Sequence, residues 1–339
     1  MGEAMSERSI GIGVIGLGFM GRTHFRNYDA IPMAEVVAVA DTDSDHLNGN
    51  WKDPSGTSGQ PADSNFNLDN VTLYENHQDL LDNTCVEAVD ICLPTEFHHR
   101  VAIDALRKGK HVVIEKPIAQ TTEQADEMIA LANKQGRILM VAHPLRFWPS
   151  YNHLEKLLTE KAYGNVLSSV LRRQCATPQW SPDLWSLDTT RGGGVLTDMQ
   201  IHDIDYAVSV FGLPTSTYAK VIGNGKNQVA LSSLRYGALE VAVESYWVDS
   251  KSYPFKAEGL FVCDQGTLYL VNTDQEDSLT IYPSNGDPLR PTLPILDPYV
   301  EELRYFLECV TTGNKPEKCP PESSRNALKI AEELLRSAR

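Results

Sequence analysis

Ser9-Ile10-Gly11-Ile12-Gly13-Val14-Ile15-Gly16-Leu17-Gly18-Phe19-Met20-Gly21 is the stretch that decides the fold. Its first half has the composition of a short buried strand. Its second half is a G-x-G-x-x-G turn, and a helical segment follows from Arg22 to about Ala30. A second apolar run, Glu35 to Ala40, ends in Asp41, twenty positions past Gly21. Strand, glycine turn, helix, strand and acidic residue in this order predict a βαβ dinucleotide-binding unit. Gly16, Gly18 and Gly21 permit the tight turn. They also let a pyrophosphate approach the helix N-terminus at Phe19 and Met20, where free N–H groups and the helix dipole favour an anion. A carboxylate at Asp41 would accept hydrogen bonds from a ribose 2′-hydroxyl and repel a 2′-phosphate, so the expected cofactor is NAD.

Outward from this unit, the next stretch departs from the pattern. Asp43 to Asn70 is dominated by Pro, Gly, Ser, Asn and Asp, which predicts a long polar loop where a crossover helix would be usual. Order resumes with a helix near Glu75 to Leu81 and a strand from Ala88 to Leu93. After Pro94-Thr95-Glu96-Phe97-His98-His99 come a helix to Lys108, then the strand His111 to Glu115, which runs into Lys116-Pro117. Ligands bind outside the carboxyl ends of strands in doubly wound sheets, so Pro94, Thr95, His98, Glu115 and Lys116 are candidate cofactor or substrate neighbours. Thr121 with Gln124 predicts a capped helix to about Lys134, stopped by Gly136, and Arg137 to Ala142 a further strand. The predicted boundary lies there, with residues 1–145 binding the cofactor and 146–339 binding substrate and partner subunits.

The second half reads as α+β with a mostly antiparallel open sheet. Runs at Val166–Gln174, Thr217–Val221, Val229–Leu234, Leu239–Trp247, Leu260–Val262 and Thr267–Val271 are punctuated by glycine turns, and two closing helices span Pro298–Val310 and Glu322–Ser337. Between them stands Arg191-Gly192-Gly193-Gly194-Val195-Leu196-Thr197-Asp198-Met199-Gln200-Ile201-His202-Asp203-Ile204-Asp205. Three glycines suit close approach of backbone to a ligand. In the helix that follows, Ile204, Ala207, Val208 and Phe211 form an apolar stripe, while Asp198, His202, Tyr206 and Ser209 share the other side. A carboxylate four residues before an imidazole can orient it and hold its protonated form. Alone this is a solvated polar face; beside a dinucleotide site and Lys116 it becomes half of a split active site. Trp180 and Trp185 suit stacking on a sugar ring, or packing in a core. His143 and Arg146 are pocket candidates at the interdomain crossing, and Arg146 could equally pair with a structural carboxylate.

Composition narrows the classes. The 339 residues are 42% hydrophobic and 22% charged, ordinary for a globular enzyme, and the net charge of -15 argues against nucleic acid as a partner. Cysteines stand at 85, 92, 175, 263, 309 and 319 without a C-x-x-C pair, so reduced thiols and no metal site are expected. His202, Asp203 and Asp205, adjacent on a helix, do not point at one ion. The polar N-terminus and the lack of a membrane-length apolar run predict a cytoplasmic protein without a membrane partner.

The ordered motifs resemble the glucose-fructose oxidoreductase and inositol dehydrogenase family (Gfo/Idh/MocA) of NAD(P)-dependent enzymes. They are Gly16 to Gly21, the Pro94 loop with His98, Gly109-Lys110-His111-Val112 leading to Glu115-Lys116-Pro117, Gly192 to Asp205 with its D-x-x-x-H spacing, Pro298-Tyr299-Val300-Glu301 and Pro321-Glu322. The resemblance implies that Lys116 lies beside the nicotinamide and binds the reacting hydroxyl, that Asp198 contacts substrate, and that His202 is the general acid/base. It also implies a cis bond at Lys116-Pro117. The expected reaction is hydride transfer between nicotinamide and a secondary alcohol or ketone of a sugar, amino sugar or cyclitol, by a homo-oligomer, dimer or tetramer. Two rivals are an NAD-dependent glycosidase acting through transient oxidation and elimination, and a non-catalytic NAD-binding regulator.

Overall fold

Ile10–Ile15 forms β1 and is buried at all six positions, as a strand covered on both faces must be. The structure, a computed structural model, describes residues 9–49, 51, 68–178 and 182–338. After β1 the first half gives α1 (Phe19–Tyr28), β2 (Ala34–Ala40), α2 (Ser44–Leu47), β3 (Thr72–Tyr74), α3 (His77–Asp82) and β4 (Ala88–Ile91). It continues with α4 (Thr95–Arg107), β5 (His111–Glu115), α5 (Thr122–Gln135) and β6 (Leu139–Ala142). The six strands are parallel, in the order β3-β2-β1-β4-β5-β6. The order reverses between β1 and β4, the switch point at whose carboxyl ends sheets of this type form their ligand crevice.

Gly18 caps α1 without a side-chain hydrogen bond, Thr121 caps α5 by accepting from the Gln124 amide, and Gly136 closes α5 in the left-handed region. Two elements differ from expectation. The three-residue β3 was not foreseen, because an edge strand so short leaves no periodic signature, and α2 interrupts the start of the polar loop. Residues 50 and 52–67 of that loop lie outside the described residues.

The second half runs α6 (Pro149–Thr159), β7 (Val166–Ala176), α7 (Ile201–Phe211), β8 (Ser216–Asn224), β9 (Asn227–Tyr236), β10 (Leu239–Val248) and β11 (Lys256–Cys263). It ends with β12 (Gly266–Thr273), β13 (Asp277–Pro283), α8 (Pro298–Thr312) and α9 (Pro321–Ser337). Its seven-stranded sheet is ordered β13-β12-β11-β7-β10-β9-β8, with β7 and β10 parallel and every other pair antiparallel. One face is the core: Leu171, Val243, Phe261 and Leu270 pack with Tyr151, Leu154, Ile204, Ala207, Ala331 and Leu334 from the helices. The other face is open, with Leu260 and Val262 each 37% exposed.

The closing helices also reach the first sheet. Leu303, Phe306 and Leu307 of α8 share a core with Ile12, Val14 and Phe25, and Leu328 of α9 joins the core on the opposite side of the first sheet. The first unit therefore borrows its cover from the far end of the chain. Among the described residues no helix is long and apolar enough to cross a membrane.

Candidate active site

The crevice is lined first by the glycine turn. A Cβ on Gly21 would stand 1.8 Å from the Gly16 carbonyl oxygen, so helix and strand meet closely only with glycine there, whereas the space over Gly18 is open. With no side chain over the α1 N-terminus, this open cradle fits a pyrophosphate. Phe19 and Met20, in its first turn, are half-buried. At the end of β2, the Asp41 carboxylate accepts from the Leu17 amide at 2.6 Å and from the Asp43 amide at 2.8 Å, and lies 3.2 Å from His46 Nδ1. Burial alone would raise its pKa, but the bonds from His46, Asp43 and Leu17 outweigh burial and lower it. Asp41 is thus held as an anion at the carboxyl end of β2.

At the ends of β4 and β5 the expected residues separate into two groups. Pro94 caps α4, and Thr95 Oγ1 is buried without a hydrogen-bond partner. His98 is fully buried, with Nδ1 2.8 Å from the Pro117 carbonyl oxygen and Nε2 2.7 Å from that of Leu93. It ties the turns after β4 and β5 together from behind. Glu115 also turns inward, accepting the Lys116 amide.

Lys116, joined to Pro117 by a cis peptide bond, reaches the other way. Its Nζ lies 2.6 Å from the Asp198 carbonyl oxygen and 3.0 Å from Asp198 Oδ1, so the ammonium joins the cofactor unit to the second half. Two of its three donors are used there and one remains.

Asp198 does not orient His202, which corrects the four-residue spacing argument. Val195–Met199 winds as a π-helix, with the Gln200 amide bonded to the Val195 carbonyl, and regular α7 begins only at Ile201. The wider turn moves residues four apart out of line. Among the described residues no hydrogen bond joins the pair, and His202 Nδ1 is buried without a partner. Burial first, then the cations Lys116 and Arg173, push the His202 pKa well below its usual value. The imidazole is neutral near pH 7, the form able to accept a proton.

Sequence patterning missed the residues that hold this turn. Gln200 is fully buried and donates to the carbonyls of Ala230 and Val243 while accepting from Ser232 Oγ. Gln228 Oε1 accepts the Val195 amide at 3.0 Å. Gly193 and Gly194 have φ of +79° and +65°, and Cβ atoms there would strike Thr197 and Gln228, while one on Gly192 would strike Trp185 and Ser186. The glycines thus serve the packing of their own loop rather than the approach of a ligand. Trp185 packs against that loop; Trp180 lies outside the described residues.

The remaining polar groups are structural. Arg146 forks onto Asp205 at 2.7 and 2.8 Å and also donates to Ser323 and the Lys318 carbonyl, the structural pairing that was one of its two expected roles. Arg173 holds Asp203 at 2.8 and 2.9 Å. Tyr206, expected on the polar face, is buried edge-on against Tyr151. His143, buried beside Asp205, has its pKa lowered to about 4 by burial, with the Asp205 carboxylate opposing and Arg146 and Lys116 reinforcing. A second interdomain tie joins Arg191 to Glu96 at 2.7 Å, with Gln120 donating to the Thr190 and Arg191 carbonyls.

A Rossmann-type unit whose Lys116 faces a carboxylate and a neutral imidazole from the second half defines a class of dinucleotide-dependent oxidoreductases. The chain belongs to the Gfo/Idh/MocA oxidoreductase family: the family's NAD-binding Rossmann-fold domain matches residues 10–143, and its C-terminal domain matches residues 151–269. It is 27% identical to the myo-inositol 2-dehydrogenase of Thermotoga maritima over 330 residues, covering 90% of this chain and 89% of that one. The fold is also that of KijD10, a 3-ketoreductase from Actinomadura kijaniata solved with NADP and TDP-benzene (TM-score 0.82, 21% identity, 98% of each chain). A levoglucosan dehydrogenase solved with NADH and levoglucosan matches at TM-score 0.81 with 19% identity, covering 98% of this chain and 97% of that one.

Proposed function

We propose that the protein is an NAD-dependent dehydrogenase that interconverts a secondary alcohol and a ketone on a sugar, amino sugar or cyclitol. The observation that carries this reading is Lys116 Nζ, held by Asp198 across the interdomain crevice with one donor unspent, beside a neutral His202. Residues 1–145 would hold the cofactor and 146–339 the substrate, with α8 completing the first unit.

When bound, the nicotinamide supplies a hydride acceptor at C4. The chain's own task is the proton and the charge. His202 accepts the hydroxyl proton as the C–H bond breaks, and Lys116 donates a hydrogen bond to the oxygen as negative charge develops on it. Asp198 keeps the ammonium in place and offers its second carboxylate oxygen to a neighbouring hydroxyl. In the reverse direction His202 returns the proton. The anionic Asp41 supports NAD over NADP.

All six cysteines are free, which supports a reducing, cytoplasmic setting. The open sheet face supports a homo-oligomer.

The test is NADH formation with a panel of myo-inositol, levoglucosan, simple glucosides and amino sugars. At least one is expected to be oxidised, and Lys116→Ala and His202→Ala are each expected to lower kcat/KM by about 10²–10⁴-fold. Wild-type turnover by either variant overturns the assignment.

A further inference from the structure

Behind Lys116 lies a group of buried ionisable side chains that the chemistry above does not use. His24 comes from α1, Asp90 from β4, Glu115 from the end of β5 and Glu302 from α8; His24, Asp90 and Glu302 are fully buried and Glu115 is 8% exposed. His24 Nδ1 is 2.9 Å from Asp90 Oδ2, which also accepts from Tyr28 Oη at 2.9 Å, and Cys92 Sγ donates to Asp90 Oδ1 at 3.3 Å. On the opposite edge of the ring, His24 Nε2 faces Glu115 Oε1 at 3.5 Å and Glu302 Oε1 at 3.9 Å. His24 Nε2 and both Glu302 oxygens are buried without a hydrogen-bond partner.

The geometry constrains the proton count. Asp90 already accepts from Tyr28 Oη and Cys92 Sγ, and as the acceptor of this network it faces an Nδ1 that carries a hydrogen. In a neutral ring Nε2 would then be a bare lone pair, repelled by either carboxylate once ionised and satisfied only by a hydrogen bond from a protonated carboxyl, a bond that Nε2 and the Glu302 oxygens do not make. A second hydrogen on Nε2 turns the same arrangement into attraction.

We propose that His24 is a positioning residue for the reaction: a buried imidazolium that grips Asp90 through Nδ1, draws Glu115 and Glu302 toward Nε2, and through Glu115 fixes the turn carrying Lys116. The last link is the bond from the Lys116 amide to Glu115 Oε2 at 3.0 Å. The proposal rests on the reading of Lys116 as the group that binds the substrate oxygen. Titration agrees with the geometry. Burial by itself would strip the ring of its proton, but Asp90, Glu115 and Glu302 together outweigh burial and raise His24 to about 9. Burial pushes Glu302 well above the usual carboxyl range and Glu115 upward, the latter moderated by His24 and Lys116. The other titratable groups facing the cluster are Tyr28, Cys92 and Tyr299, all raised by burial and by these carboxylates and so uncharged at neutral pH.

The experiment has two readouts on the full chain. In nitrogen-15 histidine spectra at pH 7.5, one imidazole protonated at both nitrogens is expected, and its signals should vanish in His24→Gln. In parallel, kcat is followed against pH with the polyol of the panel that turns over fastest. The wild type should lose rate on the alkaline side as His24 gives up its proton. Glu302→Gln keeps the shape but removes a carboxyl group that, once ionised on the alkaline side, holds that proton, so the alkaline limb should move about one pH unit lower, with NAD affinity within twofold of wild type. A purely structural role would not move it. A singly protonated His24 at pH 7.5, a superimposable kcat profile for Glu302→Gln, or a stoichiometric divalent ion that native mass spectrometry finds lost in Glu302→Gln each overturns the proposal. If no polyol turns over, the reading of Lys116 fails and the positioning role falls with it, while the spectra still decide the charge of His24.

Discussion

At Asp41 the proposed preference for NAD over NADP rests on one carboxylate. It is fixed by backbone donors from Leu17 and Asp43 and kept ionised by them and by His46. A 2′-phosphate placed beside it would meet a like charge. Asp41→Ser should therefore raise the ratio of kcat/KM for NADP to that for NAD by at least about tenfold, equivalent to roughly 1.4 kcal/mol. An unchanged ratio would move the discriminating contact elsewhere. Asp41 was legible because its identity and its distance from the glycine turn are both local properties of the chain. Lys116 was legible from its place after a strand, and its role came from the family resemblance. The partners of each were not: that Arg146 belongs to Asp205, or that His24 meets Glu302 from the far end of the chain, is settled by tertiary packing that no local spacing encodes.

Among the elements, the stretch from Gly192 to Phe211 shows how a helical pattern can be right in existence and misleading in phase. Gly212 ends α7, whose apolar stripe runs as the sequence predicts. At the other end a π turn, pinned by Gln200 and Gln228, rotates Asp198 toward Lys116 and away from His202. Nothing in the sequence marks either glutamine as buried, so an ideal 3.6-residue period was the natural and incorrect expectation.

The open face of the second sheet allows a prediction. Along it Leu260 of β11 lies between Val170 of β7 and Tyr269 of β12, beside the ion pairs Arg172–Glu244 and Lys256–Glu258. An apolar centre ringed by paired charges suits a self-complementary contact. Leu260→Glu should convert an oligomer to monomer in sedimentation velocity without unfolding it. A wild-type chain that sediments as a monomer at tens of micromolar sinks the idea.

Over the whole molecule, buried histidines of opposite habit set the pH range of stability. His98 and His143 are each lowered to about 4, chiefly by burial, and His202 is lowered as well. Their folded pKa lies below the unfolded value of 6.5, so their stabilisation is full above pH 6.5 and is lost as pH falls. By pH 5, His98 and His143 should each cost on the order of 2 kcal/mol. His24 is raised, so its contribution is full below pH 6.5 and is lost as pH rises toward about 9. The melting temperature should therefore peak near pH 6.5–7 and fall on both sides, with the alkaline fall reduced in His24→Gln. A melting temperature flat from pH 5 to 9 would contradict these assignments.

The reach of α8 back to the first sheet also bears on how the protein is made. When residue 145 has left the ribosome every strand of the cofactor sheet exists, yet the surface formed by Ile12, Val14 and Phe25 still awaits Leu303, Phe306 and Leu307. The first unit to be synthesised is thus among the last to be sealed, and a fragment cut at the apparent domain boundary would carry that bare surface into solution.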